Sequence, residues 1–518
     1  MKKIYQLIQC GIILSVAAFA FAACSQDKMD EINRDTSVPY DVDAQFLVPD
    51  LELRTAQNVV GGDFNTYFGS YVEYWAGTHN QLYKAECRDA EVRIASTFNN
   101  TWGTIYENIR NGKIVVAKCA DNAEGKDAGN TSARGVGEIM LAYNLAVATD
   151  VFGDTPYTQV GDTDTYPYPE ADSQQSIYTA VFDLVNKGIQ DVAAGSNTLF
   201  DYDFIYGGNA AKWVKFGNGL LARYTLKLLN RSSNKAADCE KIIQYVDASF
   251  TSAAEQASME YDGNNQNPMF DFQWSRDGIS ACTSMFGKLA EREDPRADRV
   301  YYDAGGWFHY PAEEVEDYLA PTGEPEESQY VYPYDVFAFA EVAPVHFLSY
   351  HELLFIKAEA LVRLGKTAEA KEVLLEAVKA AFANFEVNVD GAMNAPSINY
   401  YGGLDPLEND PLDDAAAEAY FEDVVGPLFD ADPLKETMIQ KYIALWGANG
   451  ETVETYSDIR RLKAEGKDVY GLINPGKFPL RAPYGQDDVV ANPNITKIYT
   501  DAGNYVFTEN VWWAGGTR

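Results

Sequence analysis

The chain has 518 residues, 46% of them hydrophobic and 13% aromatic, so it carries enough apolar surface for a large core. It holds 77 acidic residues against 41 Lys and Arg, a net charge of −36. A polyanion of this size repels nucleic acid, whose binding rests on Lys and Arg contacts to phosphate, and it is biased against anionic ligands in general.

In chain order, the first element is a leader. Lys2 and Lys3 open it, no charge falls between Cys10 and Cys24, and Ala20, Ala22 and Ala23 crowd its end. A basic start, a short apolar run and a small-residue exit predict a secretory signal peptide over residues 1–23. The run is shorter than the roughly 20 residues that a membrane span needs. Phe21-Ala22-Ala23-Cys24 resembles the lipobox of bacterial lipoproteins, with Phe21 where Leu is usual. That resemblance implies cleavage before Cys24 and lipid on its sulfur. Each buried acyl methylene contributes about 0.8 kcal/mol, so several chains form a lasting anchor. Residues 24–40 are polar and poor in core-forming side chains, which suits a solvated acidic tether. Acids directly after the cysteine resemble the surface-export signal of Bacteroidetes lipoproteins, which implies an outward-facing place on the outer membrane.

No Gly/Ser linker or Pro-rich hinge divides the remainder, so residues 41–518 are expected to form a single domain. Helical periodicity recurs along it. Helices are expected at about 104–119 paired with 134–151, at 176–192 paired with 210–230, and at 433–447 paired with 452–464. The segment GEIMLAYNLAVATDVFGD is apolar nearly all round and predicts a buried helix ending at Phe152-Gly153-Asp154. Ala358, Leu361, Gly365, Ala370, Leu374 and Ala377 fall at the spacings of a tetratricopeptide repeat, a pair of antiparallel helices whose small residues allow close approach. Between the helix pairs lie long stretches rich in aromatics, Gly and Pro, of which 385–415 reads as the least regular. Loops of that length are often functional. Cys87, Cys119, Cys239 and Cys282 are widely spaced without a CxxC pair, so buried free thiols are expected.

Five stretches then point to a family: FLVPDLELRTAQNVVGGDFNTYFGSYVEYWAGTHNQLYKAE, AYNLAVATDVFGDTPYTQ, KWVKFGNGLLARYTLKL, EDPRADRVYYD and KFPLRAPYGQDDVVANPN. In this order, behind a lipobox, they resemble the SusD/RagB family of outer-membrane nutrient-binding lipoproteins, in its SusD-like, starch-binding branch. The resemblance implies a mainly α fold: a tetratricopeptide-like helical-hairpin scaffold with a long loop-rich insertion face and few short strands. It implies a lid on a SusC-like TonB-dependent transporter that captures oligosaccharides, or in some members peptides, and passes them on without chemistry.

Sugar rings present C–H faces to aromatic planes, and their hydroxyls need short polar partners. That mix occurs at Tyr74, Trp75, His79 and Asn80, at Trp274 with Arg276, and at Tyr302 with Trp307. The ligand-binding candidates are therefore Trp75, Asn80, Tyr74, Trp274, Trp307 and Tyr302, although Phe64, Phe68, Tyr71 and Trp75 also lie at the helical spacing of a core stripe. The negative net charge favours neutral glycans unless Arg276, Arg292, Arg296 or Arg299 lies in the site. A surface glycoside hydrolase would need two carboxylates about 5–9.5 Å apart, and no G-x-S-x-G, HExxH or GxGxxG motif supports an enzyme. His346 and His351 lack the spacing of a zinc pair. LENDPLDD and VGDTDTYPYPEAD offer oxygens for calcium, but neither has EF-hand order, so no cofactor is expected.

Overall fold

A computed structural model describes residues 42–195 and 199–518. Helix α1 (Ala44–Arg54) leads through a π-helical turn into α2 (Asp63–Tyr71), then a two-residue strand β1 (Ala76–Gly77) and the short α3 (Asn80–Glu86). Five long helices follow: α4 (Asn99–Lys118), α5 (Thr131–Phe152), α6 (Gln174–Ala193), α7 (Ala210–Lys227) and α8 (Lys235–Asp247). Each packs on the next, and α1 rests against α4 and α5.

The starts of these helices are written in short polar side chains. Asn130 accepts from the Ala133 N–H, Ser173 from Ser176, Asn209 from Lys212 and Asn234 from Ala237, at 3.1–3.2 Å. Each satisfies an amide that the helix leaves without a partner. The expected all-round burial of α5 is found, with Gly135 to Phe152 buried without interruption, because α1, α4, α6 and α7 all pack on it.

After α8 the chain leaves the helical row and returns to it through one ladder. Strand β2 (Ala257–Met259) later meets its antiparallel partner at residues 345–348, so residues 260–344 form an insertion closed at its neck. Within it lie α9 (Pro268–Arg276), β3 (Ile279–Ser280), and a three-stranded sheet of β4 (Tyr301–Tyr302) flanked by β5 (His309–Tyr310) and β6 (Tyr334–Asp335). The neck strand β7 (Val345–Leu348) runs straight into α10 (Tyr350–Arg363), which rejoins the row by packing on α8. Ser349 caps α10 by accepting from Glu352 N–H at 3.1 Å.

The tetratricopeptide-like hairpin is α10 with α11 (Thr367–Met393). Ala358, Ala370 and Ala377 are fully buried between them, and Gly365 takes the turn at φ +74°. Two expectations need correction. Helix α11 continues through the start of 385–415 to Met393, because Phe385, Asn388, Val389 and Ala392 extend its buried face. The second concerns α12 (Pro433–Ala444) and α13 (Thr452–Ala464). They do not form a hairpin: α12 lies on α10 and α11, whereas α13 lies on α2. They meet through the buried Lys441–Asp458 pair at 2.7 Å.

That pair belongs to a charged interior. Arg223 pairs with Glu352, Lys227 with Asp150 and Glu454, and Arg461 with Glu359 and Asp458, all almost wholly buried. His351 faces Glu451 at 3.3 Å. Charges this deep persist only when paired and hydrogen-bonded. The fold is thus mainly α, with short strands confined to staples.

Candidate functional site

The site is assembled by the ladder that staples the insertion to the N-terminal segment. Ala76 pairs with Ser280 and Gly77 with Ile279, and Thr78 N–H donates to Gly278 C=O at 2.9 Å. The Gln273 amide locks β3 from behind, donating to Ile279 C=O and accepting from Ile279 N–H, both at 3.0 Å. A third segment joins where Ser328 N–H donates to Thr78 C=O at 2.8 Å. Gly77 allows this crossing, since a Cβ there would lie 2.0 Å from the Leu82 carbonyl oxygen.

The three segments leave a cleft of about 330 Å³ lined by His79, Asn80, Gln81, Phe272, Ser275, Arg276, Gly278 and Gln329. Its rim stores backbone strain: Asn80, Asp277 and Tyr330 all have positive φ, at 53°, 48° and 63°. Non-glycine residues in this region cluster at functional sites. The Tyr330 hydroxyl donates to Asp277 at 2.6 Å, which raises the pKa of the phenol. Beyond Tyr330 a second hollow of about 370 Å³ continues the surface, lined by Tyr310, Tyr318, Tyr330 and Tyr332 among others.

Exposed aromatic rings stand beside the cleft. Trp274, on α9 one turn after the buried Phe270, stacks on that ring at 5.6 Å and keeps 51% of its surface exposed. Tyr401 lies 6.1 Å from Trp274, and Tyr400 packs edge-on to Tyr401 at 5.1 Å. Glu341 fixes this tyrosine pair by accepting from Ser397 N–H at 2.7 Å, from its hydroxyl at 2.8 Å, and from the Gln266 amide at 2.6 Å. Trp307, 56% exposed, approaches the same segment at Gly402. It is displayed by a turn in which Asp303 accepts from Phe308 N–H at 2.8 Å and Gly305 N–H at 3.2 Å. Asp405 ties that turn to the tyrosine segment, since His309 N–H donates to its carboxylate at 3.0 Å.

Of the sequence candidates, the structure brings Asn80, Trp274 and Trp307, with His79 and Arg276, into this neighbourhood. Trp75, Tyr74 and Tyr302 belong to the core, each with no exposed surface, which corrects their reading as ligand contacts. The Trp75 indole N–H donates to Thr66 C=O at 3.0 Å, and its ring lies over Gly69. The Tyr74 hydroxyl donates to Tyr442 C=O at 2.7 Å. The Tyr302 hydroxyl donates to Asp405 C=O at 3.2 Å and so helps hold the Trp307 turn. Tyr400, Tyr401, Gln329 and Tyr330 were not among the candidates; the doubled tyrosine before Gly402-Gly403 is the signal that marks the first two.

The arginines separate in the same way. Arg292 pairs with Glu436 at 3.1 Å, Arg296 with Asp294 at 2.6 Å and Arg299 with Glu386 at 2.8 Å, all buried. Arg276 alone of the four lines the cleft, and it makes no salt bridge among the described residues. Its charge reaches Asp63, whose carboxyl is pushed up by burial and drawn back by Thr101 and Arg276.

Cys24 lies outside the described residues. Among those described, the four cysteines are free thiols, no His, Cys, Asp and Glu group is arranged to hold a metal, and no helix is long and apolar enough to cross a membrane. His346 instead joins Ser258 and Asn384 at 2.7 and 2.8 Å. In the acidic loops, Asp162, Asp172 and Asp413 accept from nearby backbone amides.

Residues 39–484 match the family model described as starch-binding and associating with the outer membrane. A SusD/RagB family protein from Bacteroides thetaiotaomicron is similar at 43% identity and a TM-score of 0.87, over 92% of this chain and 100% of that one. A SusD homologue from Bacteroides fragilis shares the fold at 18% identity and a TM-score of 0.71, over 92% and 100% of the two chains. A chitin-binding SusD homologue from Flavobacterium johnsoniae shares it at 17% and 0.63, over 91% and 98%. No curated protein matches the chain. With the family model covering most of its length and the same fold found in SusD/RagB structures, the chain belongs to the SusD-like family of starch-binding, outer-membrane-associating proteins.

Proposed function

We propose that this protein captures oligosaccharides at the cell surface and delivers them, chemically unchanged, to a SusC-like TonB-dependent transporter in the outer membrane. The observation that carries this reading is the gathering of Trp274, Tyr401 and Trp307 beside the polar cleft of Asn80, Gln81 and Gln329. Ring faces and amide groups side by side are what a pyranose chain requires. The chitin-binding relative from Flavobacterium johnsoniae is consistent with a glycan ligand. Residues 41–518 act as one glycan-binding domain, held by lipid on Cys24 at the end of the 24–40 tether.

A carrier must release its cargo, so affinity lies in the micromolar-to-millimolar range, about −8 to −4 kcal/mol. Two or three ring contacts of about 0.5–1.5 kcal/mol each, offset by ordering costs, supply that. Affinity therefore rises with chain length. Binding without turnover is favoured because the family model that the chain matches describes a binding protein.

Calorimetry against a glycan panel, with product analysis of the same samples, tests the reading. Trp274→Ala should weaken binding, and the glycan should be recovered intact. Release of reducing ends by the pure protein would reject it. Cys24→Ala should move the protein out of the membrane fraction, and the parent should co-purify with an outer-membrane barrel after mild detergent extraction.

A further inference from the structure

In a chain with 77 acidic residues and 41 Lys and Arg, a cleft whose lining includes an arginine and no carboxylate is an inversion of the local charge. Arg276 is exposed at the end of α9 and makes no hydrogen bond or salt bridge among the described residues. The acid that feels its charge, Asp63, is tied to the Thr101 hydroxyl at 3.2 Å. The other three candidate arginines, Arg292, Arg296 and Arg299, are consumed by Glu436, Asp294 and Glu386. No carboxylate among the described residues pairs with Arg276 at contact, which leaves its guanidinium open to a ligand.

The rest of the lining leans the same way. Asn80, Gln81 and Gln329 each offer an amide NH2, and Ser275 a hydroxyl; acceptors come from amide and hydroxyl oxygens and the His79 ring, while the rim carboxylate of Asp277 already accepts from Tyr330 at 2.6 Å. Every hydroxyl of a neutral sugar is donor as well as acceptor, and carboxylates are the strongest partners for such donors. A donor-rich, cationic wall is matched instead by an acceptor-only anion. The planar guanidinium fork offers a planar carboxylate two parallel N–H···O bonds.

We infer that the captured oligosaccharide contains uronic acid units, one carboxylate seating on Arg276 while neighbouring rings lie along Trp274, Tyr401 and Trp307. This rests on the capture reading above and narrows its ligand class. The net charge of −36, which by itself favours a neutral glycan, does not oppose it. Charges farther than about 8–10 Å are screened at physiological salt, and Arg276 acts at contact.

The test uses the detergent-solubilised full chain and hexasaccharides of galacturonate, mannuronate and guluronate. Each is paired with its carboxyl-reduced neutral counterpart, beside neutral hexasaccharides carrying sulfate alone. The parent should bind at least one uronate chain about ten- to hundredfold tighter than its reduced form, the worth of a hydrogen-bonded charge. Arg276→Gln should erase that preference, with melting unchanged because the side chain is exposed. Arg276→Lys, which keeps the charge without the fork, should retain part of it. The inference is overturned if reduced chains bind as well as acids, if the preference survives Arg276→Gln, if sulfate-only chains bind best, or if no uronate chain binds. Trp274-dependent binding of neutral glycans without acid preference would remove this inference and leave capture standing. Failure of every glycan to bind would remove both.

Discussion

The helical row and the insertion face use the same residue types in opposite ways. Around α10, α12 and α13, arginines and glutamates are buried in pairs, such as Arg461 with both oxygens of Glu359 at 2.7 Å. On the insertion face Arg276 lines a cleft and makes no salt bridge among the described residues. Tryptophans divide likewise: Trp75, Trp102, Trp213 and Trp513 are interior, whereas Trp274 and Trp307 keep more than half their surface in water. What separates the two regions is backbone. Long helices bring whole faces together and bury them. The short helix α9 and the Asp303 turn cover only one side of the rings they carry, and rings left half in water are free to meet a ligand.

The comparison breaks first at the tryptophans. Trp75→Ala removes a fully buried ring and should destabilise the protein by about 3–5 kcal/mol in urea unfolding. Arg461→Ala, which leaves Glu359 and Asp458 buried with fewer partners, should cost a similar amount, about 3–5 kcal/mol. A loss well under this for either variant would mean that the row tolerates holes and bare charges, and the contrast would fail.

Trp75 also shows what was legible in advance. The helices and the signal in Ala358 to Ala377 follow from periodicity, which reports a face, and the buried α5 follows from its being apolar nearly all round. Trp75 and Trp274 both sit in aromatic stretches, and the only local difference is that Trp75 ends a stripe of Phe64, Phe68 and Tyr71 at helical spacing. Trp75 is interior because Gly69 lies beneath its ring and β1 is stapled to β3, a partner far along the chain. Tyr401 joins Trp274 through Glu341 and Ser397, again across long loops. Composition suggested which residue types would bind; assignment of individual residues depended on long-range closure that one strand's pattern does not encode.

A subtler break lies in acid. Burial alone pushes the Glu451 carboxyl up, but His351 at 3.3 Å, with His346 and Arg223 behind, holds it below the ordinary range. Its Oε1 also accepts from Ser349 N–H at 3.0 Å. A carboxyl depressed on folding contributes stability above the ordinary value near 4.5 and loses it as the pH falls below that value. Unfolding between about pH 5 and 3 should therefore steepen in the parent and flatten in Glu451→Gln. Identical pH slopes would show that Glu451 is not tuned by this network. Cleft variants should leave that slope untouched.

On the other side of the contrast, Trp274→Ala should leave stability nearly unchanged and weaken oligosaccharide binding by about 0.5–1.5 kcal/mol, up to about tenfold. Trp307→Ala should do the same only for ligands long enough to reach Gly402. If both variants bind like the parent, the aromatic row is not the ligand face.

The smallest effect is the most local. Tyr330 and Asp277 are both left-handed residues, and their 2.6 Å hydrogen bond ties the turn after Gln329 to the end of α9. Gln329 lines the first cleft and Tyr330 the second hollow, so this bond sets how the two line up. It is exposed to water, and its loss in Tyr330→Phe should cost no more than about 0.5–1.5 kcal/mol of stability. The ring remains, so a short oligosaccharide that fits one hollow should bind as before. A chain that spans both must meet two surfaces no longer held in register, and its affinity should fall by a few-fold. Calorimetry with a ladder of chain lengths reads this directly. Equal affinity of parent and variant at every length would mean that the two hollows act separately.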